Sequence, residues 1–134
     1  MERRLIAASA MLTGARPPEP AVHHPCARID ALAEVGVTEM GLSVSADGGR
    51  WGPWAPIRKY ADDRGIWISE IDAISGWADC NGPSHESAAA EMFAYEIADA
   101  FESDHLIVVA TESPDSIAPA DEVAERFGAM CDRP

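Results

Sequence analysis

The sequence predicts an α/β protein in which four consecutive βα units form one parallel sheet. Apolar segments of strand length alternate along the chain with segments whose apolar residues recur at helical spacing. No linker-like segment divides the units, so we expect a single domain over residues 1–134. A chain of 134 residues that is 47% hydrophobic is long enough to bury a core. We therefore expect strand order 1-2-3-4, all parallel, with right-handed crossovers.

The first unit begins with the segment RLIAASAML at residues 4–12. Its apolar and small residues are typical of a strand covered on both faces. A proline-rich loop, TGARPPEPAVHHP, follows it. The next segment predicts a helix, because Ile29 and Leu32 recur at helical spacing, Pro25 lies near its start and Gly36 lies just past its end.

The second strand is predicted at EMGLSVS, residues 39–45, and ends at the turn ADGG. A short helix around Ile57 and Tyr60 follows and is closed by Gly65. The third strand is IWISEIDAI. The helix after it carries the clearest apolar stripe of the chain: Ala90, Phe93, Ala94, Ile97, Ala98 and Phe101.

The fourth unit starts with HLIVVAT, residues 105–111, which is uninterrupted and rich in β-branched residues. A last helix follows. We expect it to pack through its apolar residues Ala120, Val123, Ala124, Phe127, Met130 and Cys131.

Composition excludes several classes of function. Twenty-three acidic against ten basic residues give a formal net charge of -13, which repels nucleic-acid phosphates and anionic membrane surfaces. No apolar run is long enough to span a bilayer. Three widely spaced cysteines do not resemble a disulfide framework, so we expect a reducing, cytoplasmic location. The sequence contains no dinucleotide or phosphate-binding glycine motif, no nucleophile elbow and no zinc-protease motif.

Two carboxylates within the third strand are the candidate catalytic residues. Strict alternation places Glu70 and Asp72 on one face together with Ile68 and Ile74, roughly 6 to 7 Å apart along the strand. Ligands of parallel α/β proteins bind beyond the carboxyl ends of the strands, where Asp72 lies. Such a pair could bind sugar hydroxyls, hold a divalent metal or serve as acid and base. The alternative is an internal polar layer, with both acids bonded to neighbouring side chains.

Three further residues are candidates for substrate binding. Ser45 lies at the carboxyl end of the second strand, and His23 lies in the first βα loop. The alternative for His23 is an ordinary solvated loop residue. Trp77 follows the third strand, where its ring could stack on a sugar face or act as a hydrophobic plug.

Several stretches together resemble a known family: RLIAASAMLTG, ALAEVGVTEMGLSV, ISEIDAISGWA and EMFAYEIADAFESDHLIVVA. They are similar to the N-terminal half of the sugar phosphate isomerase/epimerase family of xylose isomerase-like TIM barrels. The most specific string is E-x-D-x-x-x-G-W, formed by Glu70, Asp72, Gly76 and Trp77. The resemblance implies half of a (β/α)8 barrel, with the two acids lining a sugar-sized cavity and Trp77 at its rim.

The resemblance also implies an activity. It points to isomerisation or epimerisation of a small keto sugar or polyol by proton transfer next to a carbonyl, with Glu70 and Asp72 as catalytic residues. Family members usually hold a divalent metal through residues of their second half, so the sequence identifies no metal ligand and its cofactor is unknown. The alternative is a non-catalytic half-barrel, either a binding module or a truncated relic.

Four strands of a barrel leave the first and the fourth strand as unpaired edges. Exposed edges favour pairing with another chain. We therefore expect a homodimer that completes a barrel. The alternative is a flatter, open sheet in a monomer, with helices over both faces.

Overall fold

The computed structural model describes residues 5–16 and 19–133. Its strands are β1 (Ile6–Ala7), β2 (Glu39–Ser43), β3 (Trp67–Ile74) and β4 (His105–Val108), and its helices are α1 (Ser9–Leu12), α2 (Pro25–Val35), α3 (Val44–Asp47), α4 (Trp54–Asp62), α5 (His85–Phe101) and α6 (Ala120–Cys131). The strands form one sheet in the order β1-β2-β3-β4, and every neighbouring pair is parallel. The predicted α/β fold of four βα units is therefore confirmed.

The ends of the long helices follow their sequence signals. Pro25 is the first residue of α2, and Nδ1 of His24 accepts a hydrogen bond from the backbone N–H of Cys26. Gly36 ends α2 in the left-handed region at φ 74°, which a glycine adopts without steric cost. At the start of α5, the Ser84 hydroxyl accepts a hydrogen bond from the N–H of Ser87.

The first strand is much shorter than the predicted span of residues 4–12. Only Ile6 and Ala7 pair with β2, and residues 9–12 instead turn into the short helix α1. The sequence ASAML is rich in residues that favour helix, and it contains no β-branched residue that would favour a strand. Ser9 consequently turns toward β3, where its hydroxyl contacts Asp72.

Two irregularities in β3 overturn the strict alternation of its side chains. The register shifts against β2 between Met40 and Gly41, and it shifts against β4 after Ile71. Each shift inserts one extra residue into β3, as a β-bulge does. As a result Ile68, Ile71 and Ile74 all belong to one buried cluster with residues of α2, α4 and α5. The prediction that Ile71 lies on the face opposite Ile68 and Ile74 is wrong. Glu70 and Asp72 do share one face, but it is the face opposite those isoleucines and not, as predicted, the same one.

Helix α6 is packed less closely than predicted. None of its residues is buried, and the Phe127 side chain remains 46% exposed. One side of α6 lies against β4 and α5, where a cavity of about 430 Å³ is lined by residues that include Leu106, Tyr95 and Met130. The described chain has no further βα unit to cover the other side. The apolar stripe of α6 therefore stays partly in solvent.

The lengths of the helices and the state of the cysteines complete the description of the fold. Within residues 5–16 and 19–133, no helix combines the length and the apolar character that a membrane span needs. Cys26, Cys80 and Cys131 are all free thiols. The cytoplasmic location stays a prediction.

Candidate functional site

The carboxyl ends of the first three strands meet around Asp72. The Ser9 hydroxyl, which follows β1, donates a hydrogen bond of 3.0 Å to Oδ2 of Asp72 on β3. Ser43, at the end of β2, is the register partner of Asp72. Three consecutive strands thus bring hydroxyl and carboxylate groups to the carboxyl-terminal end of the sheet. Asp72 remains partly exposed there.

Glu70 lies on the same side of the sheet, above Gly41 of β2. A methyl group on Gly41 would be 3.1 Å from Oε1 of Glu70 and 3.4 Å from the backbone nitrogen of Ser9. Because Gly41 has no side chain, there is room above it for the Glu70 carboxylate. Within the described part of the chain, the Glu70 carboxylate has no hydrogen-bond donor, unlike that of Asp72.

Burial raises the pKa of Glu70 above its usual value, and the nearby charge of Asp72 raises it further. His105, whose backbone pairs with Glu70 across β3 and β4, lowers that pKa by a smaller amount. A carboxyl group that holds its proton more tightly than usual and is not tied by hydrogen bonds is suited to proton transfer.

Ser45 joins this cluster through Ser43. The two hydroxyl oxygens are 3.1 Å apart, and Ser43, which caps the start of α3, also accepts a hydrogen bond from the N–H of Ala46 within that helix. Glu70 and Asp72 lie near each other on β3, and Ser45 contacts Ser43, whose backbone pairs with Asp72 across β2 and β3. Ser9 and Ser43 were not singled out from the sequence.

A buried ion pair stabilises the carboxyl end of β2, and sequence reasoning missed it. Arg28 of α2 and Asp47 at the end of α3 form a bidentate ion pair, and their side chains are 2% and 0% exposed. Asp47 also accepts hydrogen bonds from the N–H of Ser43 at 3.0 Å and from Nε1 of Trp51 at 2.9 Å. One signal was available, since Arg28 lies four residues before Leu32 on the face of α2 that packs inward.

The structure places His23 apart from the carboxylates. Its ring lies against Gly14, where an added Cβ would be 2.6 Å from two atoms of the imidazole. His23 lines a cavity of about 330 Å³ between α1 and α2, together with Met11, Leu12 and other residues of those helices. No hydrogen bond joins it to Glu70 or Asp72 in the described residues. Its proposed contact with substrate has no geometric support from this placement.

Trp77 is held within the protein rather than at a rim. Its side chain is 7% exposed, and its Nε1 donates a hydrogen bond of 3.0 Å to the carbonyl of Val109, just after β4. Its ring packs at 6.1 Å, centroid to centroid, against that of Phe127 on α6. This position matches the hydrophobic-plug alternative. The proposed stacking on a sugar gains no support from it.

The described residues do not offer a fitting set of ligands for a divalent metal. Among the described residues, no three His, Cys, Asp or Glu side chains lie close enough together to hold a metal ion. Glu70 and Asp72 supply two carboxylates, whereas Mg²⁺ and Zn²⁺ sites use additional protein or substrate ligands. The described residues alone therefore do not fit a bound divalent metal.

Comparison with known proteins supports the fold. A scan against protein-family models gave no match, and neither did a search of curated proteins. Among solved structures, the chain is similar to a xylose isomerase domain-containing protein from Salmonella typhimurium LT2, with a TM-score of 0.74 and 14% identity. It is also similar to a xylose isomerase-like TIM barrel/4-hydroxyphenylpyruvate dioxygenase fusion protein, with a TM-score of 0.70 and 11% identity.

The coverage of these matches is unequal. Each covers 96% of this chain, but only 44% of the first structure and 20% of the second. The chain thus spans less than half the length of the solved structures that it matches. Its fold is that of part of a xylose isomerase-like TIM barrel, which is consistent with the predicted half-barrel.

Proposed function

We propose that this chain, which has the fold of half a xylose isomerase-like barrel, binds a small keto sugar or polyol at the carboxyl ends of β1, β2 and β3. Glu70 then moves a proton on the carbon next to the substrate carbonyl, which is the step that isomerisation and epimerisation share. Asp72 and the hydroxyl groups around it hold the substrate.

The placement of Glu70 is the observation that carries this proposal. Its carboxylate lies in the space above Gly41, without a hydrogen-bond donor among the described residues, and burial and Asp72 raise its pKa. A proton-transfer group works best when its pKa is close to the working pH and its oxygen is free to reach the substrate. Glu70 is only partly buried, and neither of its oxygens is among the buried unpartnered atoms of the described residues, so both are open to solvent and to a substrate.

The binding role of Asp72 follows from its partners. The hydrogen bond from Ser9 fixes one carboxylate oxygen and leaves the other available to accept from a substrate hydroxyl. Ser45 adds an exposed hydroxyl group near the carboxyl end of β2, and the buried hydroxyl of Ser43 contacts it. Polyhydroxylated molecules match such a mixed set of donors and acceptors, and the net charge of -13 does not favour strongly anionic ligands.

Two NMR measurements test binding and chemistry separately. Saturation transfer from protein to D-fructose, L-sorbose, D-tagatose and dihydroxyacetone reports binding, and incubation in D2O reports exchange of the hydrogen next to the carbonyl. We expect Glu70→Gln to lower the exchange rate by about 10²- to 10⁴-fold while binding persists. Asp72→Asn should weaken binding instead. Glu34→Gln, which changes an exposed acid of α2, is the matched control and should alter neither readout.

The second candidate function is non-catalytic binding by the half-barrel. It is favoured by one observation, namely that the chain covers only 44% of a solved xylose isomerase-like structure. Binding that depends on Asp72, without exchange by the parent protein, would identify this alternative. If no sugar of the panel binds or exchanges, both candidates are refuted for this class of ligand.

A further inference from the structure

One histidine outside the proposed site residues lies beside Glu70. His105 begins β4, and its backbone is the register partner of Glu70 on β3. Register partners on neighbouring strands project their side chains to the same side of the sheet. The next pair, Ile71 and Leu106, lies on the helix side, because Ile71 belongs to the buried cluster and Leu106 lines the cavity against α5 and α6. Glu70 and His105 therefore share the side that faces away from the helices.

The two side chains are close together without being bonded to each other. The charge of His105 lowers the pKa of Glu70, which requires the imidazole to lie near the carboxylate. Within residues 5–16 and 19–133, no hydrogen bond joins the two groups. The Glu70 carboxylate lies over Gly41 of β2, whereas the imidazole belongs to β4. Two proton-transfer groups thus flank β3, and both are free to contact a molecule that lies across it.

Asp104 sets the orientation of the imidazole. Its Oδ1 contacts Nδ1 of His105. A carboxylate only accepts hydrogen bonds, so Nδ1 carries the hydrogen, and Nε2 is the nitrogen left to take up and release a proton. The side chain of His105 is 57% exposed, so it adds little to the core and is open to a substrate. Asp104 is therefore a positioning residue for His105.

We propose that His105 is a further catalytic residue of this site, which transfers protons to and from the substrate oxygens while Glu70 transfers the proton on carbon. Glu70 takes a proton from the carbon next to the carbonyl, and the electrons of that C–H bond form the C=C bond of an enediol. The carbonyl π electrons move to oxygen, which takes a proton from Nε2 of His105. Isomerisation ends when Glu70 returns its proton to the former carbonyl carbon and Nε2 takes one from the hydroxyl group of the neighbouring carbon. Both residues are then unchanged.

This inference rests on the proposed function, because it assigns a second group to the same proton transfer. A titration of Glu70 tests its geometry without any substrate. NMR of the ¹³C-labelled protein, with Glu70→Gln to assign the signal, reports the pKa of this carboxyl group. His105→Gln removes the charge that lowers the pKa of Glu70, so that pKa should rise. His85→Gln, at an exposed position of α5, is the matched control and should leave it unchanged.

Hydrogen exchange in D2O tests the chemistry. With a sugar that the parent protein exchanges, His105→Gln should slow the exchange by about 10²-fold or more. Saturation transfer should show that binding persists, and His85→Gln should exchange at the parent rate. Because the position of His105 is exposed, added imidazole should restore part of the rate to His105→Ala, but it should not restore Glu70→Gln. Circular dichroism should show all variants folded.

The outcomes distinguish the role of His105 from the proposed function. If the parent protein exchanges the hydrogen and His105→Gln does so at the same rate, the role of His105 is refuted and the proposed function stands. A Glu70 titration that does not respond to His105→Gln, or a slowed His105→Ala that imidazole does not restore, also refutes the role of His105 alone. A parent protein that exchanges no sugar of the panel refutes both.

Discussion

Replacing Asp47 by asparagine should destabilise the protein strongly. The substitution keeps the size of the side chain but removes the charge that neutralises Arg28, whose side chain is only 2% exposed. Breaking a buried pair on one side leaves a charge without compensation and costs about 3–5 kcal/mol. A domain of this size has about 5–15 kcal/mol of stability in total. A large part of the folding free energy should thus be lost.

Urea denaturation followed by circular dichroism measures this loss. The exposed pair Lys59–Asp63 provides a matched control, because its side chains are 75% and 56% exposed. Asp63→Asn should change the free energy of unfolding by no more than about 0.5 kcal/mol. The contrast between the two substitutions isolates burial from the mere loss of an ion pair.

A double-mutant cycle completes the experiment. In Arg28→Met/Asp47→Asn no buried charge is left alone, and the asparagine oxygen can still accept from Ser43 or Trp51. The double variant should therefore lose less stability than the sum of the two single variants, with a coupling of about 2 kcal/mol or more. If Asp47→Asn costs less than about 1 kcal/mol, or if the two effects simply add, the reasoning about the pair is wrong.

Two further predictions concern the residues around the strand ends. The pKa of Glu70 is raised in the folded state, so the native protein holds this proton more tightly than the unfolded chain does. The free energy of unfolding therefore falls as pH rises from the usual carboxyl range through the raised pKa. Glu70→Gln should therefore be more stable than the parent at pH 7 in thermal unfolding, and a difference that did not shrink toward acidic pH would contradict this. Trp77→Phe keeps an aromatic ring but leaves the Val109 carbonyl without its donor, which should cost about 1–2 kcal/mol in urea unfolding. An unchanged urea midpoint would mean that this hydrogen bond adds nothing to stability, and it would contradict the prediction.

The sequence alone determined the order and type of the main elements. Helix ends were marked by residues whose local chemistry acts regardless of the rest of the fold, such as Pro25 at the start of α2 and Gly36 after its end. The long apolar stripe of α5 and the strand-length apolar segments predicted the parallel sheet. The pair of acids in β3 was visible as well, because charged residues are rare within an apolar strand.

Only the tertiary structure decided how these residues face one another. The bulges of β3 depend on its pairing with β2 and β4, so strict alternation misassigned Ile71. The contact of Ser9 with Asp72 spans 63 residues and arises because β1 ends after two residues. The pairing of Arg28 with Asp47 also joins distant segments. Local patterns hold no information about such contacts, since packing between elements sets both their partners and their burial.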